Sequence, residues 1–83
     1  MTSSSVEAKP LAREVSFTET ELIVSLVDGR RLAVPLVWYP RLARASRAQL
    51  GRWEILGRGE GIRWSDLDED LSVAGMMRGD RPT

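Results

Sequence analysis

Four carboxylates fall within five positions at Asp66, Asp68, Glu69 and Asp70, directly after Trp64 and Ser65. Three chemistries use acids at such spacing. The first is cation binding, because Asp66, Asp68 and Asp70 reproduce the D-x-D-x-D opening of a calcium loop. The rest of that pattern fails. Its sixth position, where glycine makes the sharp turn, is Leu71. Its twelfth, where a bidentate glutamate closes the shell, is Met77. No metal site is assigned, and a metal-dependent binder or enzyme using Asp66 to Asp70 is the least favoured alternative. The second is general acid–base work. That needs two carboxyl groups in environments that split their pKa values, beside a cleft, and no partner carboxylate elsewhere in the chain completes such a pair. The third is recognition of a basic partner by outward-facing acids.

The remaining equipment narrows the choice. The chain of 83 residues has no cysteine and no histidine. Thiolate catalysis, disulfides, Cys/His zinc sites and histidine-based triads are therefore excluded within one chain. The glycine run Gly57-x-Gly59-x-Gly61 resembles a phosphate cradle but lacks the lysine that reaches a phosphate, and Ile62-Arg63-Trp64 follows it where a helix should. Its simpler role is a tight turn. No cofactor and no catalytic residue is expected, and the chain is read as non-enzymatic.

Twelve basic residues balance twelve acidic ones, and eleven of the twelve are arginine. A nucleic-acid binder usually carries a basic excess, so that role is the alternative reading. It would use Arg41, Arg44, Arg47 and Arg52 on the exposed side of a helical region. The opening MTSSSVEAKP lacks an apolar signal core, and no apolar run approaches the ~20 residues that span a bilayer. A cytoplasmic protein with no membrane contact is expected.

These residues must be held by a small core. Hydrophobic residues make up 42% of the chain, enough for one domain. Three tryptophans, Trp38, Trp53 and Trp64, can each bury roughly 200 Å² and are expected mostly inside. The Ser-rich residues 1–12 read as a flexible tail, 13–79 as one unit, and 80–83 as a frayed end.

Alternation of Val15 and Phe17 with polar residues predicts a strand over 14–19. Residues 21–27 and 30–37 flank Asp28-Gly29, a strong hairpin signal. A two-residue loop would place Leu22, Val24 and Leu26 on one face with Arg31, Ala33 and Pro35. A three-residue loop, Val27-Asp28-Gly29, instead sets Val24 opposite Leu32 and Leu22 opposite Val34. A one-residue slip reverses every side chain, so the second register is expected, with Gly29 in a left-handed bulge position. Pro35 has no amide to donate and should face an edge.

Pro40 suits the first turn of a helix, with Leu42 and Ala45 on its buried side. Ser46 and Gln49 make a capping box, which predicts two short helices, about 41–45 and 47–54, with Leu50 and Trp53 packed inward. Residues 62–64 suit a short strand. Ser72 caps a last helix over 73–78, with Gly79 just past its end. Leu67 and Leu71, four apart, anchor the acidic segment while Asp68, Glu69 and Asp70 project outward. The order β-β-β-α-α-(β)-β-α describes an α+β domain: a small antiparallel sheet led by a three-strand meander, with short helices packed on it.

Taken together, Leu22-x-Val24-x-Leu26-x-Asp28-Gly29-Arg30, Val34-Pro35-Leu36, Trp38 to Leu42, Trp53, Gly57-x-Gly59-x-Gly61-Ile62-x-Trp64 and Leu67 to Asp70 resemble the domain of unknown function 2442 family. The resemblance covers residues 13 to 79. It implies a small bacterial α+β domain and brings no catalytic residues. Some relatives carry an added helix-turn-helix segment, for which this chain is too short. Others are encoded beside a second small protein in arrangements that look like toxin–antitoxin pairs. The expectation is a protein-binding or regulatory module, antitoxin-like, whose partner is another protein. The candidate interaction surface is Trp64, Asp66, Asp68, Glu69 and Asp70, with Arg41 and Arg44 beside it.

Overall fold

The computed structural model describes residues 10–80. It is α+β, built from two three-stranded antiparallel sheets and three short helices. The first sheet is a meander of β1 (Ala12–Phe17), β2 (Glu21–Leu26) and β3 (Arg31–Pro35). A 3-10 turn, Leu36–Trp38, leads into α1 (Pro40–Ala43) and α2 (Arg47–Leu50). A second meander follows, of β4 (Glu54–Leu56), β5 (Gly61–Trp64) and β6 (Glu69–Ser72). The chain then enters α3 (Val73–Arg78).

Apolar patterning sets the hairpin register. Leu22 pairs with Val34 and Val24 with Leu32, as the three-residue loop requires. Gly29 has φ +96°, a left-handed conformation that glycine adopts without a Cβ penalty. The Asp28 carboxylate accepts from the Arg30 backbone N–H at 3.0 Å and from its Nε at 2.8 Å, locking the turn. The core face of β2, Leu22, Val24 and Leu26, is buried together with Val15, Val34, Leu42, Ile62, Trp64, Val73 and Met76.

Leu26 N donates to Arg30 O and Leu36 N to Thr20 O. Even-numbered residues of β3 therefore bond to β2, and Arg31, Ala33 and Pro35 turn their backbone polar groups away from it. Pro35 thus lacks an amide on the side where no described strand pairs with the sheet.

The ends of the unit are tied down further out than the sequence suggests. Ala12 is buried in β1, the Leu11 carbonyl accepts from Val27 N, and Asp80 Oδ2 accepts from Arg78. The expected tail and frayed end otherwise lie outside the described residues. Gly59 stitches the two meanders together: its carbonyl accepts from Ala12 N at 2.8 Å. Its φ is +120°, and a Cβ there would lie 2.5 Å from the Ala12 carbonyl oxygen, so only glycine fits.

The helices form where their caps predict. Pro40 opens α1, and Ser46 and Gln49 make a reciprocal capping box on α2. Ser72 Oγ accepts from Gly75 N at 3.0 Å, and Gly79 ends α3 at φ +86°. The second helix is shorter than expected, stopping at Leu50, because Gly51 caps it and the chain turns into β4. Trp64 is fully buried, whereas Trp38 and Trp53 are half-buried and pack on the margin of the core. Among the described residues no helix is long and apolar enough to cross a membrane.

Candidate functional site

The acidic segment takes a different form from the expected one. A 3-10 turn over Ser65–Leu67 ends at Asp68, which adopts a left-handed φ of +53°. Asp and Asn tolerate that region better than most residues. The reversal starts a strand, β6, with a period of two rather than a helical spacing. Trp64 lies opposite Glu69, and Ile62 opposite Leu71. Leu71 and Glu69 therefore share the core face, while Asp70 and Ser72 share the outer face. Leu67 and Leu71 do anchor the segment, half-buried and buried respectively. Glu69 does not project outward with its neighbours: its side chain is only 12% exposed.

Arginines answer these carboxylates individually. Arg52 Nη1 donates to Asp66 Oδ2 at 2.6 Å. Arg41, at the start of α1, donates to the Asp68 carbonyl and lies 3.7 Å from Glu69 Oε1 and 4.0 Å from Asp68 Oδ2. Arg63 faces Asp70 across the β5–β6 ladder at 3.7 Å. Glu54 lies on the other side of Arg63, so one row of the outer face reads acid, base, acid. Only Asp68 keeps a fully solvated carboxylate, 94% exposed.

Burial pushes the Glu69 carboxyl above its ordinary range; Arg41 pulls it down, and Asp70 and Asp68 push it up again. Glu69 borders an open depression of about 240 Å³ between β6 and α3, walled also by Tyr39, Asp70, Ser72, Arg78 and Asp80. Asp70 alternates with Glu69 along β6 yet borders the same depression, as does Asp80, whose carboxylate is held by Arg78. Among the described residues no three Asp or Glu side chains gather as a metal ion requires.

Of the residues singled out in the sequence, Arg41, Asp68 and Glu69 are brought together, and Asp66 and Asp70 are separated from them by the strand reversal. Trp64 lies in the core and offers no surface to a partner. It is fully buried, and its indole meets Phe17 edge-on at 6.3 Å between ring centroids. Of the four helical-region arginines, Arg41 and Arg52 are engaged with acids. Arg44 and Arg47 are exposed and form no ion pair among the described residues.

A second surface was not singled out in the sequence. On the outer face of the first sheet Ser16, Ile23 and Ala33 form one row, and Pro35 and Glu21 the next. The solvent face of an antiparallel sheet is ordinarily polar, yet here Ile23 and Ala33 occupy its middle. Val37, 77% exposed, follows Pro35 in the 3-10 turn, with half-buried Trp38 next to it in sequence. The outward backbone groups of Arg31 and Ala33 make no hydrogen bond among the described residues. The odd-numbered apolar run Ala33, Pro35, Val37 was the signal available in the sequence.

The sequence model of the family described as protein of unknown function (DUF2442) matches residues 12–82. Two solved structures are similar. One is a crystal structure of a protein of unknown function from Rhodospirillum rubrum, 37% identical, with TM-score 0.79, covering 92% of this chain and 94% of that one. The other is a solution NMR structure of an uncharacterized protein from Chromobacterium violaceum, 27% identical, with TM-score 0.75, covering 88% of this chain and 69% of that one. No curated protein matches.

Proposed function

The chain belongs to the DUF2442 family of proteins of unknown function, and we propose for it the role of a non-enzymatic protein-binding module. Its contact surface is the free edge and outer face of the first sheet. One observation carries this reading. An edge strand with unpaired backbone groups at Arg31 and Ala33 borders exposed apolar side chains at Ala33 and Val37. Edge pairing supplies main-chain hydrogen bonds, and adjacent apolar side chains supply burial.

The acidic segment is a weaker docking surface than its composition suggests. Asp66 and Asp70 already have arginine neighbours within their own fold, and Glu69 faces the core. A basic partner would have to displace those arginines. The two other carboxylates at the depression beside Glu69 already have arginine neighbours, Asp70 with Arg63 and Asp80 with Arg78, which favours a structural role for them over proton transfer.

The test is site-specific cross-linking in the native host. A photoreactive residue at position 37 is expected to link the chain to a discrete protein product, and one at position 58, on the glycine turn, is not. Recovery of only unlinked chain from position 37 at native abundance overturns the reading.

A further inference from the structure

Resting on that reading, we propose that the occupant of the β3 edge is a second copy of the chain, joined by antiparallel β3–β3 pairing about a two-fold axis at Ala33. The backbone phase allows it. Arg31, Ala33 and Pro35 all turn their polar groups outward, so with Ala33 opposite Ala33 of the partner subunit, Arg31 falls opposite Pro35 of the partner subunit. The two Ala33 residues exchange two hydrogen bonds. Each Arg31 N–H donates to the carbonyl of the facing Pro35. The missing proline amides fall at the two ends of the ladder, where they cost least. Side chains at the centre are small, and the apolar row becomes Ile23, Ala33, Ala33, Ile23 across four strands.

Charge complementarity selects this register. Within one chain Glu21 and Arg31 stand at opposite ends of the outer face, four residues apart along the strands, and neither forms an ion pair among the described residues. In the two-fold arrangement Arg31 lies next to Pro35 of the partner subunit, and beyond that proline lies the partner's Glu21. That separation is two strand spacings, roughly 10 Å between backbones, which an arginine and a glutamate can bridge. Its own Glu14 lies equally far on the other side, beyond Ser25, and makes no ion pair with it.

Pro35 and Arg31 are residue types that discourage indiscriminate strand addition. A register that sets each against the other tolerates both, and its two-fold symmetry closes the assembly at two copies.

Sedimentation equilibrium of the full chain is expected to show a monomer–dimer equilibrium, with the Ala33 amide protected from hydrogen exchange in proportion to dimer. Arg31→Glu and Glu21→Arg are each expected to weaken the dimer at least ~10-fold by placing like charges together, and the double variant to restore it. Both positions are on the sheet surface, so circular dichroism should be unchanged. A double variant no tighter than the singles overturns the charge register. A chain that stays monomeric at millimolar concentration overturns the dimer. In that case a cross-link from position 37 to a different protein leaves the protein-binding reading intact, whereas no cross-link removes both. Ala33 protection that is independent of concentration assigns the edge to the chain's own terminal residues and overturns the second-copy proposal.

Discussion

The indole Nε1 of Trp64 donates to the backbone carbonyl of Leu50 at 3.0 Å, tying the centre of the second sheet to the last residue of α2. The bond answers two needs together. A fully buried indole N–H requires an acceptor, and the last carbonyls of a helix require donors. It also explains how a helix of only four residues keeps its place: Ser46 and Gln49 cap one end, and Trp64 holds the other.

Trp64→Phe is therefore expected to cost about 2–3 kcal/mol, from the lost hydrogen bond and a partly filled cavity. Urea unfolding followed by far-ultraviolet circular dichroism measures it. A loss below about 0.5 kcal/mol would contradict the packing described.

Gly29→Ala and Gly59→Ala separate conformational strain from steric conflict. Both positions have positive φ, but a Cβ at Gly29 meets open space, and one at Gly59 meets the Ala12 backbone. The first substitution should cost about 1 kcal/mol and the second roughly 3 kcal/mol or more. Equal losses in thermal unfolding would count against the stitch between the two meanders.

Ser72→Ala removes the acceptor for Gly75 N at the start of α3. A loss of about 1 kcal/mol is expected, and faster hydrogen exchange should be confined to the first turn of that helix.

Glu69 and Asp28 should give pH dependences of opposite sign. Glu69 is raised above its ordinary 4.5, chiefly by burial. Its contribution to stability is thus fully present below that value and lost as pH rises through the raised one. Relative to native protein, Glu69→Gln should gain in Tm as pH is taken from 4 to 7. Asp28 is lowered from 3.8, chiefly by the Arg30 backbone N–H. Its contribution is present above that value and lost as pH falls through the lowered one. Asp28→Asn should lose its disadvantage toward acid pH. A parallel trend for both variants would contradict the two environments. Arg41→Ala, which removes the cation beside Glu69, should move the Glu69 window to higher pH.

Local rules were legible where local physics decides the outcome. The β2–β3 register follows from keeping Leu22, Val24, Leu32 and Val34 on one face, since a one-residue slip would expose them all. The caps at Ser46 and Ser72 follow from the need to satisfy the first amides of a helix. The segment Leu67 to Leu71 misled because a spacing of four fits one helical turn and also fits a turn followed by a strand. The left-handed Asp68 between them decides for the strand, and no side-chain pattern announces it.

Composition and pattern alone determined an α+β chain without histidine or cysteine chemistry, led by a meander, with its turns and caps in place. These follow from apolar periodicity, glycine φ and unsatisfied helix amides, all of which act over a few residues. Tertiary structure decided the partition of the acids: Glu69 toward the core under Arg41, Asp66 to Arg52 and Asp70 to Arg63. It also decided that the strands divide into two meanders and that, among the described residues, no strand pairs with the β3 edge. Those outcomes depend on contacts between residues far apart in the chain, whose ordering entropy is offset only when the whole core is assembled.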